Sequence, residues 1–206
     1  MTEPTDHTDK PGKNPVKEMF LLAALYLPLG FFLWFFAASL LMFPTARLAD
    51  LLLTGFFGDI FERVVQLGFQ LEVQTAVILE REVDGRMAAV NLYVNPMIYA
   101  WGMALLFGLI MATPLSVKRR LFQMTIGFVV VTLVTTWGVF WETLTDLAFR
   151  SSPEAGAAAA GLGLDMNLIA LCYQLGYLML PAVVPIATWI LMNRAFIEND
   201  ILQRPL

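Results

Sequence analysis

The sequence predicts a mainly α-helical membrane protein with about four transmembrane helices, and with an exported amphipathic helix and β-hairpin between the first and second. Three observations support this fold class. Hydrophobic residues make up 58% of the 206 residues and charged residues 15%, whereas soluble domains are about half apolar and one quarter charged. The apolar residues are concentrated in long blocks. One segment between the blocks instead alternates apolar and polar residues, which is typical of a β-strand.

The N-terminal part of the chain is predicted to be a tail followed by a membrane anchor. Residues 1–17 are polar and include three prolines, so we expect a disordered cytoplasmic tail. Residues 18–43 are almost entirely apolar and long enough to cross the bilayer as transmembrane helix 1. Pro28 lies inside this block, and we expect a kink there because proline cannot donate a backbone hydrogen bond.

Residues 44–94 are predicted to form an exported amphipathic helix followed by a β-hairpin. Within residues 45–67, apolar residues recur at helical spacing and charged residues lie largely on the opposite side. Such a helix is expected to lie along the membrane surface, with its apolar side facing the lipid or the hairpin.

The hairpin is predicted from a period of two that begins at Phe69. Asp84-Gly85 separates two alternating runs, and this dipeptide is a strong signal for a tight turn. A two-residue turn at that position would pair Val77 with Leu92. Because an isolated hairpin is marginally stable, we expect its apolar face to pack on the amphipathic helix or on a partner chain.

Residues 95–206 are predicted to be a three-helix membrane region with a cytoplasmic C-terminus. The three spans are residues 96–114, 121–141 and 168–192, each with enough apolar residues to cross about 30 Å of hydrocarbon. Between the last two spans, residues 151–163 are rich in alanine and glycine and are expected to form a flexible loop.

Positive residues predict the orientation of the chain. They flank the first span, fill the turn between the second and third spans, and follow the fourth. Lysine and arginine are enriched in cytoplasmic loops, so both termini and that turn are expected in the cytoplasm, and the hairpin outside. The residues concerned are Lys10, Lys13, Lys17, Lys118, Arg119, Arg120, Arg194 and Arg204.

Composition leaves few residues for catalysis. The chain has one cysteine, Cys172, and one histidine, His7, so we expect no disulfide, metal site, cofactor or catalytic residue, and no enzyme. The net charge is −4, which does not favour binding to nucleic acid. The lipid bilayer is the partner that the composition itself predicts, while the oligomeric state stays open.

Polar residues in the third span are candidates for contacts with a partner or for a polar path. Glu142 and Asp146 are one helical turn apart and share one face. They could bind a cation or a partner's arginine, or they could simply be an acidic helix end exposed to water. Thr132 and Thr136 fit helix packing better than a transport path, because threonine can bond to its own helix backbone.

Two further polar groups are candidate contacts. Tyr173, Gln174 and Tyr177 form a patch on the fourth span, which we interpret as packing inside the helix bundle. Asn95 precedes Pro96 where the second strand meets the second span. Its side chain is expected to cap the following helix by accepting an early backbone N–H.

The segment VNLYVNPMIYAWGMALLFGLIMATP, residues 90–114, resembles the exosortase H-associated membrane proteins of Gram-negative bacteria. The resemblance rests on the junction VNPMIY, on the closing Ala-Thr-Pro, and on the overall layout of the chain. It implies an inner-membrane location and partnership with an exosortase, a transpeptidase-like membrane protease that processes proteins bearing a C-terminal sorting signal. Exosortases use Cys, Arg and His near the outer face, and this sequence lacks that set.

These observations favour a non-catalytic accessory protein that presents its exported helix and hairpin to a membrane partner or to exported substrates. A small transporter or channel subunit is the alternative, with the threonines and acidic residues of the third span as its polar path. A membrane hydrolase with Cys172 as nucleophile is a third, weaker hypothesis, because no base is available beside that thiol.

Overall fold

The structure is a computed structural model that describes residues 15–79 and 88–198. The described part is largely helical and contains one three-stranded antiparallel sheet, in the order β1-β2-β3. The elements are α1 (Pro15–Phe36), α2 (Ala38–Phe57), β1 (Phe61–Leu67), β2 (Gln70–Ile78), β3 (Ala89–Val94), α3 (Met97–Ala100), α4 (Gly102–Ala112), α5 (Val117–Thr145), α6 (Pro153–Gly161), α7 (Met166–Gln174), α8 (Leu180–Met192) and α9 (Arg194–Phe196). Two π-helical segments continue α5 (Asp146–Arg150) and α7 (Leu175–Met179).

Four described helices are long and apolar enough to cross a membrane, which confirms the predicted fold class. They are Lys17–Phe36, Ala38–Phe57, Val117–Arg150 and Met166–Met192. The set differs from the prediction at one place: α2 has the required length, while the predicted second span corresponds to the shorter apolar helix Met97–Ala112.

The first helix ends earlier than the sequence predicts. It continues through Pro28 and stops at Phe36 rather than at residue 43. At Ala37 the backbone turns away from helical values, with φ −90° and ψ 6°, and α2 begins at the next residue. The predicted tail lies outside the described residues up to residue 14, and its last three residues already belong to α1.

The apolar helices α1 and α4 pack closely, because glycines on each helix lie against the other helix. A Cβ atom at Gly30 would lie 2.8 Å from the carbonyl oxygen of Ala104. A Cβ atom at Gly108 would lie 3.0 Å from the Cα atom of Leu27. Small residues at such contacts let helices approach within van der Waals distance, which drives association in lipid.

A second region, here called the sheet domain, consists of α2, the three strands, the final turns of α5, α6 and the start of α7. One hydrophobic core joins these elements, so the predicted packing of the hairpin on the neighbouring helix is confirmed. Its buried residues are Ala46, Ala49, Leu53, Phe61, Val64, Leu71, Val73, Leu92, Val94, Tyr99, Val139, Leu144, Leu147, Ala155, Ala159 and Ile169.

The predicted amphipathic helix over residues 45–67 is only partly correct, because its second half is strand β1. The register of β1 against β2 shifts between Phe61 and Arg63, which is a β-bulge. The bulge turns Phe61 and Val64 toward the same buried side, a three-residue spacing that imitates a helix. The carboxylate of Asp50 in α2 accepts the backbone N–H of Val64 at 2.7 Å and holds the bulge in place.

The face of α2 that enters the core also differs from the prediction. Its buried positions include Ala46, Ala49 and Leu53, at a spacing of three to four residues. Leu51 and Phe56, which the sequence pattern places on the apolar face, are exposed. The sheet lies so close to α2 that small side chains fit the contact better than large ones.

The register of the hairpin formed by β2 and β3 was predicted wrongly. Leu92 pairs with Val73 rather than with Val77, a shift of four residues. An even shift keeps each side chain on its face, so the apolar side still faces the core. The backbone N–H of Leu79 bonds to the carbonyl of Ala88, and the proposed turn at Asp84-Gly85 lies outside the described residues.

The Ala/Gly-rich segment is a helix and not the predicted flexible loop. Ser152 caps α6 by accepting the N–H of Ala155 at 3.2 Å. Pro153 occupies the first helical position, where a backbone N–H has no partner within the helix, so its absence costs no hydrogen bond. Ala155 and Ala159, one turn apart, are buried in the core of the sheet domain. Small side chains allow α6 to pack directly on the end of α5.

A buried polar network links three helices at the end of the helix bundle that lies away from the sheet domain. The side-chain amides of Gln123 and Asn193 exchange two hydrogen bonds, at 2.9 and 3.1 Å, and both residues are almost fully buried. Beside them, the indole of Trp189 donates to the hydroxyl of Thr113 at 2.9 Å. The network joins the end of α4, the start of α5 and the end of α8.

Substitution of Gly138 by alanine should destabilise the protein. A Cβ atom there would overlap the ring of Tyr99, which is fully buried, so the ring must move. We expect a loss of about 1–3 kcal/mol in the free energy of unfolding. Thermal unfolding in detergent measures it, with Gly55→Ala as the matched control, because Gly55 has open space around it. The control should gain about 0.5–1 kcal/mol, and equal effects at both sites would contradict the described packing.

The amide pair predicts a non-additive double-mutant cycle. Asn193→Leu leaves the buried amide of Gln123 without its partner and should cost about 1–2 kcal/mol. The double variant Gln123→Leu/Asn193→Leu removes both polar groups and should be more stable than either single variant. Unfolding of all four proteins in one detergent measures the coupling energy. Strictly additive losses would argue against the reciprocal pair.

Candidate functional site

Three charged residues lie one helical turn apart at the end of α5 and its π-helical continuation. They are Glu142, Asp146 and Arg150, so the two predicted acidic residues have a positive neighbour. Arg150 donates to Asp146 at 2.8 Å, and both side chains reach the surface, with 49% and 17% of their areas exposed. An ion pair this exposed contributes little stability. Glu142 is buried instead, and its carboxylate faces the hydroxyl of Tyr99.

The length of α5 places this row of charges at the edge of the bilayer. The helix and its continuation comprise 34 residues and are therefore about 51 Å long, whereas the hydrocarbon is about 30 Å thick. Trp137 and Trp141, whose rings are 5.7 Å apart, fall about where the helix leaves the hydrocarbon. Tryptophan is enriched at that level, so the charged row lies at or beyond the membrane surface.

Arg150 connects this row to two tyrosines on the neighbouring helix. Its guanidinium donates to the hydroxyl of Tyr173 at 3.2 Å and lies 5.0 Å from the centre of that ring. Tyr173 stacks on Tyr177 at 5.9 Å, and Tyr177 meets the edge of Tyr99 at 6.4 Å. We call Arg150, Tyr173 and Tyr177 the arginine–tyrosine patch.

Both π-helical segments of the described chain flank this patch. One ends at Arg150, and the other, Leu175–Met179, contains Tyr177. Pro181 follows the second segment and cannot donate the hydrogen bond that a regular helix would make to the carbonyl of Tyr177. In this wider turn the backbone N–H of Leu180 bonds to the carbonyl of Leu175, five residues earlier in the chain. Such bulges occur often at functional sites.

The predicted burial of Tyr173, Gln174 and Tyr177 inside the bundle is wrong for two of the three residues. Gln174 is exposed, and 47% of Tyr177 is exposed, while Tyr173 is half-buried beneath Arg150. The patch therefore lies on the outside of the helix bundle, where another molecule can reach it.

The predicted threonine stripe is buried within the bundle, and two of its hydroxyls bond to their own helix, whereas the hydroxyl of Thr132 has no hydrogen-bond partner among the described residues. The hydroxyl of Thr136 donates to the carbonyl of Thr132, and the hydroxyl of Thr143 donates to that of Val139, each at 2.8 Å. Thr132 and Thr136 lie about two to three turns nearer the middle of the membrane than Glu142. The structure does not bring them to the arginine–tyrosine patch, and their bonds favour helix packing.

Asn95 lies one residue before the N-cap of α3, which is Pro96, and its side chain still accepts an early backbone N–H. Its side-chain oxygen accepts the backbone N–H of Met97 at 3.1 Å, at the point where β3 passes into α3. This bond fixes the direction in which the chain re-enters the membrane region from the sheet.

Arg150 and Tyr99 were missed by the sequence analysis. Arg150 could have been found, because it continues the four-residue spacing of Glu142 and Asp146. Tyr99 gives no local signal, because its neighbours at the site come from α5 and α7.

No metal centre is evident in residues 15–79 and 88–198, where no three His, Cys, Asp or Glu side chains lie close enough together to hold an ion. The thiol residue Cys172 is half-buried in α7, and its backbone carbonyl accepts the indole N–H of Trp137 at 3.2 Å. The histidine His7 lies outside the described residues.

Comparison with known proteins supports the resemblance seen in residues 90–114. No curated protein matches the chain, and no solved structure does so either. The family model described as exosortase H-associated membrane protein matches residues 13–196, which is most of the chain. The chain therefore belongs to the family of exosortase H-associated membrane proteins.

Proposed function

We propose that this protein is a non-catalytic accessory subunit that docks to an exosortase-type membrane partner through the arginine–tyrosine patch. Membership of a family associated with exosortase H supports such a partner. The single observation that carries the proposal is the exposed patch of stacked tyrosines and arginine at the edge of the bilayer. The sheet domain beside it would then be held next to the partner or its exported substrates.

The composition of the patch is that of a protein interface. Tyrosine and arginine are enriched among the few residues that dominate binding energy. The rings of Tyr173 and Tyr177 are already stacked, so binding orders few additional side chains. Arg150 is held by Asp146 and by Tyr173, which leaves part of its guanidinium exposed in a fixed direction. A carboxylate or an aromatic ring of a partner fits such a group.

The sheet domain can act as a platform because α5 runs without interruption from the membrane into its core. Val139, Leu144 and Leu147, all at the end of this helix, are buried among the strands and α6. The opposite face of the sheet is polar: Glu72 accepts a hydrogen bond from Asn91 at 2.8 Å. That face is available to a membrane partner or to an exported protein substrate.

The orientation we propose places the sheet domain outside the bacterial inner membrane and both termini in the cytoplasm. An open sheet has unpaired backbone groups at its edges, which hydrocarbon does not tolerate. Since α2 shares its core with the sheet, α2 lies outside the hydrocarbon despite its length. Arg119 and Arg120, at the opposite end of α5, carry the positive charge expected on the cytoplasmic side.

The transporter alternative has less support from the geometry. Of the three threonines in that path, Thr136 and Thr143 donate their hydroxyls to carbonyl groups of their own helix, whereas the buried hydroxyl of Thr132 has no hydrogen-bond partner in the described part of the chain. Groups bonded in this way are poor ligands for an ion or a solute, because binding would first break an existing hydrogen bond.

The double variant Tyr173→Ala/Tyr177→Ala should weaken binding to the exosortase encoded in the same genome. Removing two aromatic contacts should cost about 2 kcal/mol or more, which is roughly a 30-fold higher Kd. The measurement is binding of the purified partner to the protein in nanodiscs, together with co-purification from membranes.

Phe122→Ala is the matched control for this experiment. Phe122 is an aromatic residue with 64% exposure that lies near the start of α5, at the opposite end of that helix from the patch. Its removal should leave the Kd within about twofold if the patch is the docking site. Thermal unfolding in detergent shows whether each variant keeps its fold. Unchanged binding by a folded patch variant would refute docking through the patch.

The orientation can be tested with single cysteines in a Cys172→Ala background. Lys118→Cys lies in the exposed first turn of α5, and Ser151→Cys lies at the exposed end beside the sheet domain. In intact spheroplasts, a membrane-impermeant maleimide should label Ser151→Cys and spare Lys118→Cys until the membrane is permeabilised. Labelling of both positions, or the reverse pattern, would overturn the proposed topology.

A further inference from the structure

We propose that the groove between α2 and β1 is a binding site for an anionic phospholipid. The groove has a volume of about 760 Å³ and combines aromatic residues with two arginines. The residues that carry the argument are Phe36, Leu40, Phe43, Arg47 and Arg63. The groove is separate from the arginine–tyrosine patch, so this inference does not depend on the proposed partner.

The groove lies at the level where α1 leaves the membrane. The apolar helix Lys17–Phe36 has 20 residues and spans about 30 Å, which is the thickness of the hydrocarbon. The side chain of Gln66 in β1 donates to the carbonyl of Ser39 at 2.7 Å, just beyond the end of α1. This bond places the turn between β1 and β2 at the membrane surface as well.

That turn presents apolar side chains toward the bilayer. Gly68 has a φ of 66°, a left-handed conformation that allows the tight turn. Leu67 and Phe69 on either side of it are about half exposed, although both are large and apolar. Exposed leucine and phenylalanine beside the end of a membrane helix are typical of segments that insert into the headgroup region.

One stripe along α1 and α2 continues this lipid-facing surface. Phe36, Leu40, Phe43, Arg47 and Leu51 recur every three or four residues, so they follow one side of the helices, and all five are exposed. The stripe begins with apolar residues at the membrane boundary and reaches a positive charge after about three turns. An amphipathic surface helix with arginine above its apolar residues has this pattern.

The positive charges of the groove are free to bind an anion. Within the part of the chain that the structure describes, neither Arg47 nor Arg63 forms an ion pair. The guanidinium of Arg47 lies 5.2 Å from the centre of the Phe43 ring, which holds it over the apolar part of the groove. The nearby carboxylate of Asp50 is already used by the backbone of Val64.

A phospholipid matches all of these features in one molecule. Its phosphate suits two guanidinium groups, which bind phosphate oxygens through paired N–H donors. Its acyl chains suit Phe36, Leu40 and Phe43 on the membrane side of the arginines. A net negative headgroup such as phosphatidylglycerol is favoured over a zwitterionic one, because the zwitterion carries a compensating positive charge.

The test uses the full chain in detergent, titrated with phosphatidylglycerol and followed by native mass spectrometry. Arg47→Gln/Arg63→Gln should raise the Kd of the lipid roughly 30-fold, since each arginine near a membrane surface contributes a factor of about five. Arg47→Lys/Arg63→Lys keeps both charges but loses the paired N–H donors, so its Kd should lie between that of the original chain and that of the glutamine variant. Phosphatidylcholine should bind the original chain much more weakly.

A photoreactive phosphatidylglycerol in nanodiscs then locates the site. Labelling should map to peptides of α2 and β1 and should fall in the glutamine variant. The control Arg119→Gln/Arg194→Gln makes the same charge change at the other end of the molecule and should leave that labelling unchanged. Equal Kd values for the original chain and the glutamine variant, equal binding of both lipids, or labelling confined to other peptides would each overturn the proposal.

Discussion

The structure depends on one constraint: an open β-sheet cannot enter hydrocarbon, yet this sheet is attached to membrane helices at both ends. Unpaired backbone groups at its edges need water, while its apolar face needs a hydrophobic partner. The extra length of α5 meets both needs, because the helix and its continuation are about 20 Å longer than the hydrocarbon is thick. Leu144 and Leu147, which follow Trp141 near the end of this length, are buried in the core of the sheet domain. The positions of α2 and α6 follow, since both cover the same core.

The two halves of the protein are held by different interactions, as their surroundings require. Burial of apolar area drives packing in the sheet domain, where water is the alternative environment. Between membrane helices lipid removes that driving force, so close glycine contacts such as Gly30 on Ala104 and hydrogen bonds such as Gln123 with Asn193 replace it. The arginines that indicate orientation have a second role: Arg119 donates to the carbonyl of Met192 at the end of α8, where a positive charge offsets the helix dipole.

Hydropathy and length were sufficient to predict the membrane character, the long helices and the presence of strands, because each follows from local composition. The errors arose where tertiary contacts override the local pattern. A bulge gave β1 the spacing of a helix, and the buried partners of Ala155 and Ala159 turned a predicted loop into α6. At the site, Arg150 is predictable from its four-residue spacing to Asp146. Tyr99 belongs to α3 instead, and only the packing of the helices brings it next to Glu142. Contacts between residues that are far apart in the chain cannot be predicted from the local sequence pattern.

Because helices of the same chain cover the apolar face of the sheet, a partner does not have to cover it. The sequence alone leaves open a partner chain that stabilises the strands, but α2, α5 and α6 already bury their apolar face. A partner is therefore not needed to complete this core, and its binding energy must come from surfaces that remain exposed. The arginine–tyrosine patch and the polar side of the sheet are such surfaces. An accessory subunit of the proposed kind would position other molecules through its own rigidity, since its fold is complete before they bind.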